Sequence, residues 1–178
     1  MIILKKVVIV LGIIFSILLI NNNKEELIII PNEAIRVRVI ANSYDINDIN
    51  IKEQLKERVS GKLSDLLENS SNIKEARGII TNNMNFINNF VDKSLKELNY
   101  NSKYSINYGM NYFPSKIFKG IVYEKGLYES LVITLGEGNG PNYWCVLYPP
   151  LCAIDNDKNE VEYRSLIIDL INKYINKT

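Results

Sequence analysis

Apolar positions change period several times along the chain, and each change marks an element. Ile35, Val37, Val39 and Ala41 alternate with Arg36, Arg38 and Ile40, which predicts a strand with both arginines on the face opposite the first set. Asn50 and Glu53 have capping-box spacing, and Ile51, Leu55, Val59, Leu63, Leu66 and Leu67 then recur at three and four, predicting a helix to about Glu68. Ser71 can cap a second, longer helix, in which Ile73, Ala76, Ile80, Met84, Ile87, Val91, Leu95 and Leu98 keep that spacing without a break. Alternation returns at Tyr104 and lasts to Tyr112, the mark of a half-buried strand. Ile117 to Tyr123 and Leu127 to Leu135 suit a hairpin across Glu124-Lys125-Gly126, with Gly126 at a positive φ. A Gly-rich turn, Gly136 to Asn142, leads into a strand from Tyr143 to Leu147, and Val161 to Tyr174 has helical spacing. These elements predict one α+β domain: a mostly antiparallel sheet with helices on one face.

Ahead of the domain, Lys5 and Lys6 precede an apolar run from Val7 to Ile20, and Asn21 to Glu26 are polar. This is the layout of an export signal. As a helix the run extends only about 21 Å against a hydrocarbon core of roughly 30 Å, so it is short for a span. The exit through Asn21-Asn22-Asn23 offers no small-x-small cleavage site, which leaves both a membrane anchor and a released form open. The expected division is an export signal or anchor over 1–23, a linker over 24–34, and an extracytoplasmic domain over 35–178. Within the linker, Leu27 to Ile30 before Pro31 reads as linker or short edge strand.

Composition narrows the chemistry. With 47% hydrophobic residues the chain can bury a core, and a net charge of +1 gives no general drive toward nucleic acid. There is no histidine, which removes imidazole as general base and as metal ligand. No cofactor, metal site, catalytic residue or small-molecule substrate is expected. The Gly136-Glu137-Gly138-Asn139-Gly140 run lacks the Gly-Lys-Ser/Thr ending of a phosphate loop and reads as a turn between strands. Cys145 and Cys152 have two open readings, a disulfide suited to an oxidising compartment and a pair of packed thiols. Arg36 and Arg38 form a small basic stripe whose ordinary reading is an exposed strand face. Glu124, Glu129 and Glu137 lie near turns or strand ends, where a carboxylate pair could do acid/base work.

Two segments resemble a known family. Ile35-Arg36-Val37-Arg38-Val39-Ile40-Ala41-Asn42-Ser43 resembles the N-terminal motif of the stage II sporulation protein R family. The block from Tyr128-Glu129-Ser130-Leu131 through Gly136-Glu137-Gly138-Asn139-Gly140-Pro141-Asn142 to Tyr143-Trp144-Cys145 and Tyr148-Pro149-Pro150-Leu151-Cys152 resembles its C-terminal motif. Phe113-Pro114 to Gly120 fits the middle, so the likeness runs in order from about Ile35 to Ile154. Tyr44 stands where the family usually has an acidic residue, and Tyr143 where a second Trp is common. The resemblance implies a protein made in the forespore and exported to the space between the septal membranes. There it would be required for a membrane-embedded aspartic protease, of the stage II sporulation protein GA type, to process the mother-cell sigma-factor precursor, pro-sigma-E.

On this reading the chain is a non-catalytic activating ligand that also touches the membrane if its leader is uncut. Its expected contact surface comprises Glu137, Asn139, Asn142, Trp144, Tyr148, Pro149 and Pro150, together with Arg36, Arg38 and Asn42. A Trp beside two prolines offers rigid apolar area, although Trp144, Val146 and Tyr148 could equally fill a core. The alternatives are an envelope hydrolase using a carboxylate pair and a passive septal structural protein.

Overall fold

The computed structural model describes residues 28–30, 33–118, 121–153 and 160–174. The leader read over 1–23 lies outside the described residues. In chain order the elements are β1 (Ile28–Ile29), β2 (Ile35–Ile40), α1 (Ile46–Leu67), α2 (Ile73–Asn82), α3 (Met84–Glu97), β3 (Tyr104–Phe113), β4 (Lys116–Phe118), β5 (Ile121–Tyr123), β6 (Gly126–Leu135), β7 (Asn142–Tyr148), a 3₁₀ turn (Leu151–Ala153) and α4 (Glu160–Tyr174).

Alternation along β2 makes it an interior strand of a four-stranded sheet ordered β3-β6-β2-β7, parallel to β6 and antiparallel to β7. β3 pairs antiparallel with β6 over its whole length. Ile35, Val37 and Val39, with Leu131, Ile133 and Leu135 of β6, point to one face and are fully buried against Leu55, Val59 and Leu63 of α1, Ile80 of α2 and Val91 of α3. This α+β layering is the one the periodicity predicts. The opposite face carries a second, three-stranded sheet, ordered β1-β5-β4, and α4. Ile30, Ala34, Ile121, Val146, Tyr163 and Ile167 form a separate apolar cluster there. The stretch read as linker or edge strand thus supplies β1, at the edge of this sheet, and the buried Ile30.

Local details depart from the expected boundaries. Helix α1 starts before Asn50: Asp45 is its N-cap and accepts from the Asn47 N–H at 2.8 Å. Asn72, not Ser71, caps α2; its Oδ1 accepts from the Glu75 N–H, while Glu75 reaches back to the Ser71 N–H. The single long helix expected over 71–98 is two helices. At Asn83 the side-chain amide donates to the Ile79 carbonyl at 2.8 Å, and the backbone leaves helical geometry at φ −105°, ψ 12°. The expected hairpin of 117–123 with 127–135 does not form. β5 pairs with β4 and β1, whereas β6 pairs with β3 and β2, and Gly126 does not have a positive φ.

Candidate functional site

The Gly-rich turn after β6 is locked to the chain leaving β2. Asn42 accepts from the Asn139 N–H through its carbonyl and from the Glu137 N–H through Oδ1, each at 3.0 Å. Its Nδ2 donates to Asp48 at 2.8 Å, and Asp48 also accepts from the Ser43 hydroxyl at 2.6 Å. Ala41 adds a further pair, donating to the Pro141 carbonyl and accepting from the Gly140 N–H. The glycines follow from this geometry: Gly136 and Gly138 have φ of 55° and 67°, and a Cβ on Gly140 would collide with the Ser43 carbonyl. Asn42 is therefore a clamp, with its amide engaged on both ends. What the turn shows outward is Glu137, Asn139 and Asn142, all exposed. Glu137 pairs with Lys103 at 2.7 Å, and this bond holds its carboxyl below the usual range.

Where the turn enters β7, a cleft of about 240 Å³ opens. Trp144 and Tyr143 of β7, Phe118 of β4, Tyr123 of β5 and Tyr163 of α4 line it. Lys116 lies at 5.6 Å from the Trp144 ring and 5.4 Å from that of Phe118, and Lys56 of α1 at 5.0 Å from Tyr143. Beside the cleft, the Arg38 guanidinium is 5.8 Å from Trp144, and its Nε donates to Asn142 at 2.7 Å. Burial pushes the tyrosine hydroxyls of Tyr123, Tyr143 and Tyr163 up, so all three are neutral hydrogen-bonding groups at physiological pH.

The two arginines of β2 part company. Arg38 is half-buried at the surface, whereas Arg36 is 2% exposed and enclosed by rings, its guanidinium carbon 5.3 Å from Phe113, 5.9 Å from Tyr123 and 3.3 Å from Tyr128. Burial lowers both guanidinium pKa values, and no carboxylate among the described residues offsets that for either. Tyr148, 2% exposed, and Pro149 are also interior. Arg36, Tyr148 and Pro149, expected on the contact surface, are thus buried in the domain. Their role is to shape the surface that Arg38, Asn142, Trp144 and the half-buried Pro150 present.

Cys145 and Cys152 are joined as a disulfide, their Cα atoms 5.6 Å apart. Between them the Tyr148–Pro149 peptide is cis, and the Leu151 N–H donates to the Pro149 carbonyl at 2.7 Å. Cys145 lies in the cleft wall.

Of the carboxylates considered for acid/base work, Glu129 and Glu137 do not converge. Glu129 takes both guanidinium bonds of Arg77 at 2.8 Å and the Tyr108 hydroxyl at 2.7 Å, and the Arg77 bond holds its carboxyl below the usual range. It sits near the start of β6, and Glu137 lies beyond the far end. At roughly 3.3 Å per residue the strand alone separates them by about 20 Å, too far for a glycosidase-type pair at roughly 5–10 Å. The sequence singled out Trp144, Asn142 and Arg38 but missed Lys56, Lys116, Phe118, Tyr123 and Tyr163. Their only local signal was the pattern of core and surface positions on separate elements.

The family described as stage II sporulation protein R matches residues 31–158. The stage II sporulation protein R of Bacillus subtilis (strain 168) is 34% identical over 133 residues, a region covering 75% of this chain and 59% of that protein. The chain thus spans about 59% of the length of the curated relative it matches. No solved structure matches.

Proposed function

The chain belongs to the stage II sporulation protein R family, and from that premise we propose that it is an exported, non-catalytic signal. It acts in the space between forespore and mother cell, where it engages a membrane-embedded aspartic protease and triggers processing of the mother-cell sigma-factor precursor. The observation that carries this reading is a turn, tied by Asn42, set beside an open aromatic cleft whose cations Arg38 and Lys116 have no ion pair among the described residues. A preorganised surface of this kind favours association because little ordering entropy remains to be lost on binding.

The separation of Glu129 from Glu137 counts against a hydrolase built on that pair. A passive structural role leaves the cationic cleft without a purpose. The test is to express the chain with the candidate protease and its precursor in a non-sporulating host. Cleavage that depends on the chain is expected, and cleavage at the same rate without it would sink the proposal.

A further inference from the structure

Lys116 and Arg38 both lie near the ring of the half-buried Trp144, and among the described residues their contacts are to rings and to the amide of Asn142. Lys56, across the cleft, is by contrast ion-paired with Glu53 at 2.5 Å, a carboxylate it shares with Lys52. One wall of the cleft is therefore a cationic rim over apolar rings, and buried Arg36 adds a third positive charge behind Tyr123. In a chain of net charge +1 this is a local field, not a general one, so it selects a ligand with charge at one point. At about 240 Å³ the cleft falls below the roughly 300–1,000 Å³ usual for drug-sized ligands and suits one or two side chains. The rings Trp144, Phe118 and Tyr163 offer flat apolar contact, with Phe118 36% exposed even without a ligand.

We propose that this cleft binds an acidic peptide segment, seating one aromatic or aliphatic side chain against Trp144, Phe118 and Tyr163 and an adjacent Asp or Glu carboxylate against Lys116 and Arg38. The inference rests on the reading of the chain as a protein ligand only in assigning that segment to the extracytoplasmic part of its partner. The binding chemistry itself stands on the cleft. Lys116 and Arg38 lie 5.6 Å and 5.8 Å from the Trp144 ring centroid, so a carboxylate bound beside that ring meets positive charge, and such a bond in a half-buried site is stronger than one in open water.

Trp144 is the single Trp of the chain, so its emission reports on the cleft directly. The full chain in non-ionic detergent is titrated with acetyl-Glu-Leu-Phe-Glu-amide and with its Gln-for-Glu counterpart. A saturable change in emission is expected with the acidic peptide, at least about tenfold weaker with the neutral one. Lys116→Gln, an exposed change, should weaken binding several-fold while leaving the melting curve in place, and raising salt should weaken it for the unmodified chain. Equal response to both peptides, or no saturable response, overturns the inference. So does an emission shift with phosphatidylglycerol vesicles but not with peptide, which would assign the cleft to a membrane surface. Should the peptide fail to bind while precursor cleavage still depends on the chain, the cleft assignment falls and the signalling role stands; binding without any effect on cleavage gives the converse.

Discussion

The guanidinium carbon of Arg36 lies 3.3 Å from the ring centroid of Tyr128, inside a sheet face where Arg36 is 2% exposed. Stacking on the ring offsets part of the cost of burying the charge, yet Nε and Nη2 find no hydrogen-bond acceptor among the described residues. Arg36 therefore contributes mainly as volume between Phe113, Tyr123 and Tyr128. Arg36→Ala should cost about 3 kcal/mol through the cavity it leaves, whereas Arg36→Met should stay within about 1 kcal/mol of the parent. Urea midpoints of the three proteins decide this. A Met variant as damaged as the Ala variant would show that the charge itself holds the face together.

Asn42 joins three pieces of chain through one side chain, so its loss should loosen the turn before it unfolds the domain. Asn42→Ala should cost about 1–3 kcal/mol by leaving the Glu137 N–H and Asp48 short of a partner. Asn42→Asp should be worse, since it sets a second carboxylate against Asp48. Limited proteolysis at the turn should rise in both variants. Unchanged stability and cleavage in Asn42→Ala would remove the clamp from the account.

What was legible in the sequence was whatever is local. Period-two alternation at Ile35–Ala41 and at Tyr104–Tyr112 appears as β2 and β3, and the three-four spacing from Ile51 to Leu67 lies inside α1. The break at Asn83 was not legible, because the apolar spacing continues through it and only the folded-back amide ends the helix. Strand pairing was not legible either: Ile117–Tyr123 and Leu127–Leu135 are neighbours in sequence, but each takes a partner from earlier in the chain. Arg36 was misread for the same reason. Alternation puts it on the face opposite the helices, and nothing nearby in sequence announces that β1, β4, β5 and α4 cover that face. The cleft gathers residues from α1, β4, β5, β7 and α4, so only its β7 members stood out beforehand.

Acid should weaken the Arg77–Glu129–Tyr108 cluster. The folded-state pKa of Glu129 is depressed, chiefly by the Arg77 hydrogen bond, so the cluster stabilises the domain at pH values above the roughly 4.3 of an unfolded Glu. That contribution is lost as pH falls through the lower folded value. Glu129→Gln should accordingly be less stable than the parent at pH 7 and approach it by pH 3. Denaturant midpoints taken across that range test the sign, and a difference that grows toward low pH would contradict it.

The disulfide connects fold to surface, because Cys145 belongs both to it and to the wall of the cleft. Closing a loop with a sequence separation of 7 should stabilise the fold by about 2–3 kcal/mol through the entropy removed from the unfolded chain. It also holds β7 against the 3₁₀ turn at Leu151–Ala153, next to Trp144, so its loss should blunt the cleft as well as the fold. Changing both cysteines to Ser should therefore lower the melting temperature and weaken binding of the acidic peptide, and reductant should do the same to the unmodified chain. Two packed thiols predict a stability loss in the Ser variant with no response to reductant. Intact mass of the purified protein, alkylated with and without prior reduction, separates the two. Two freely alkylated thiols in non-reduced, active protein would remove the disulfide and leave Cys145 and Cys152 as packing residues.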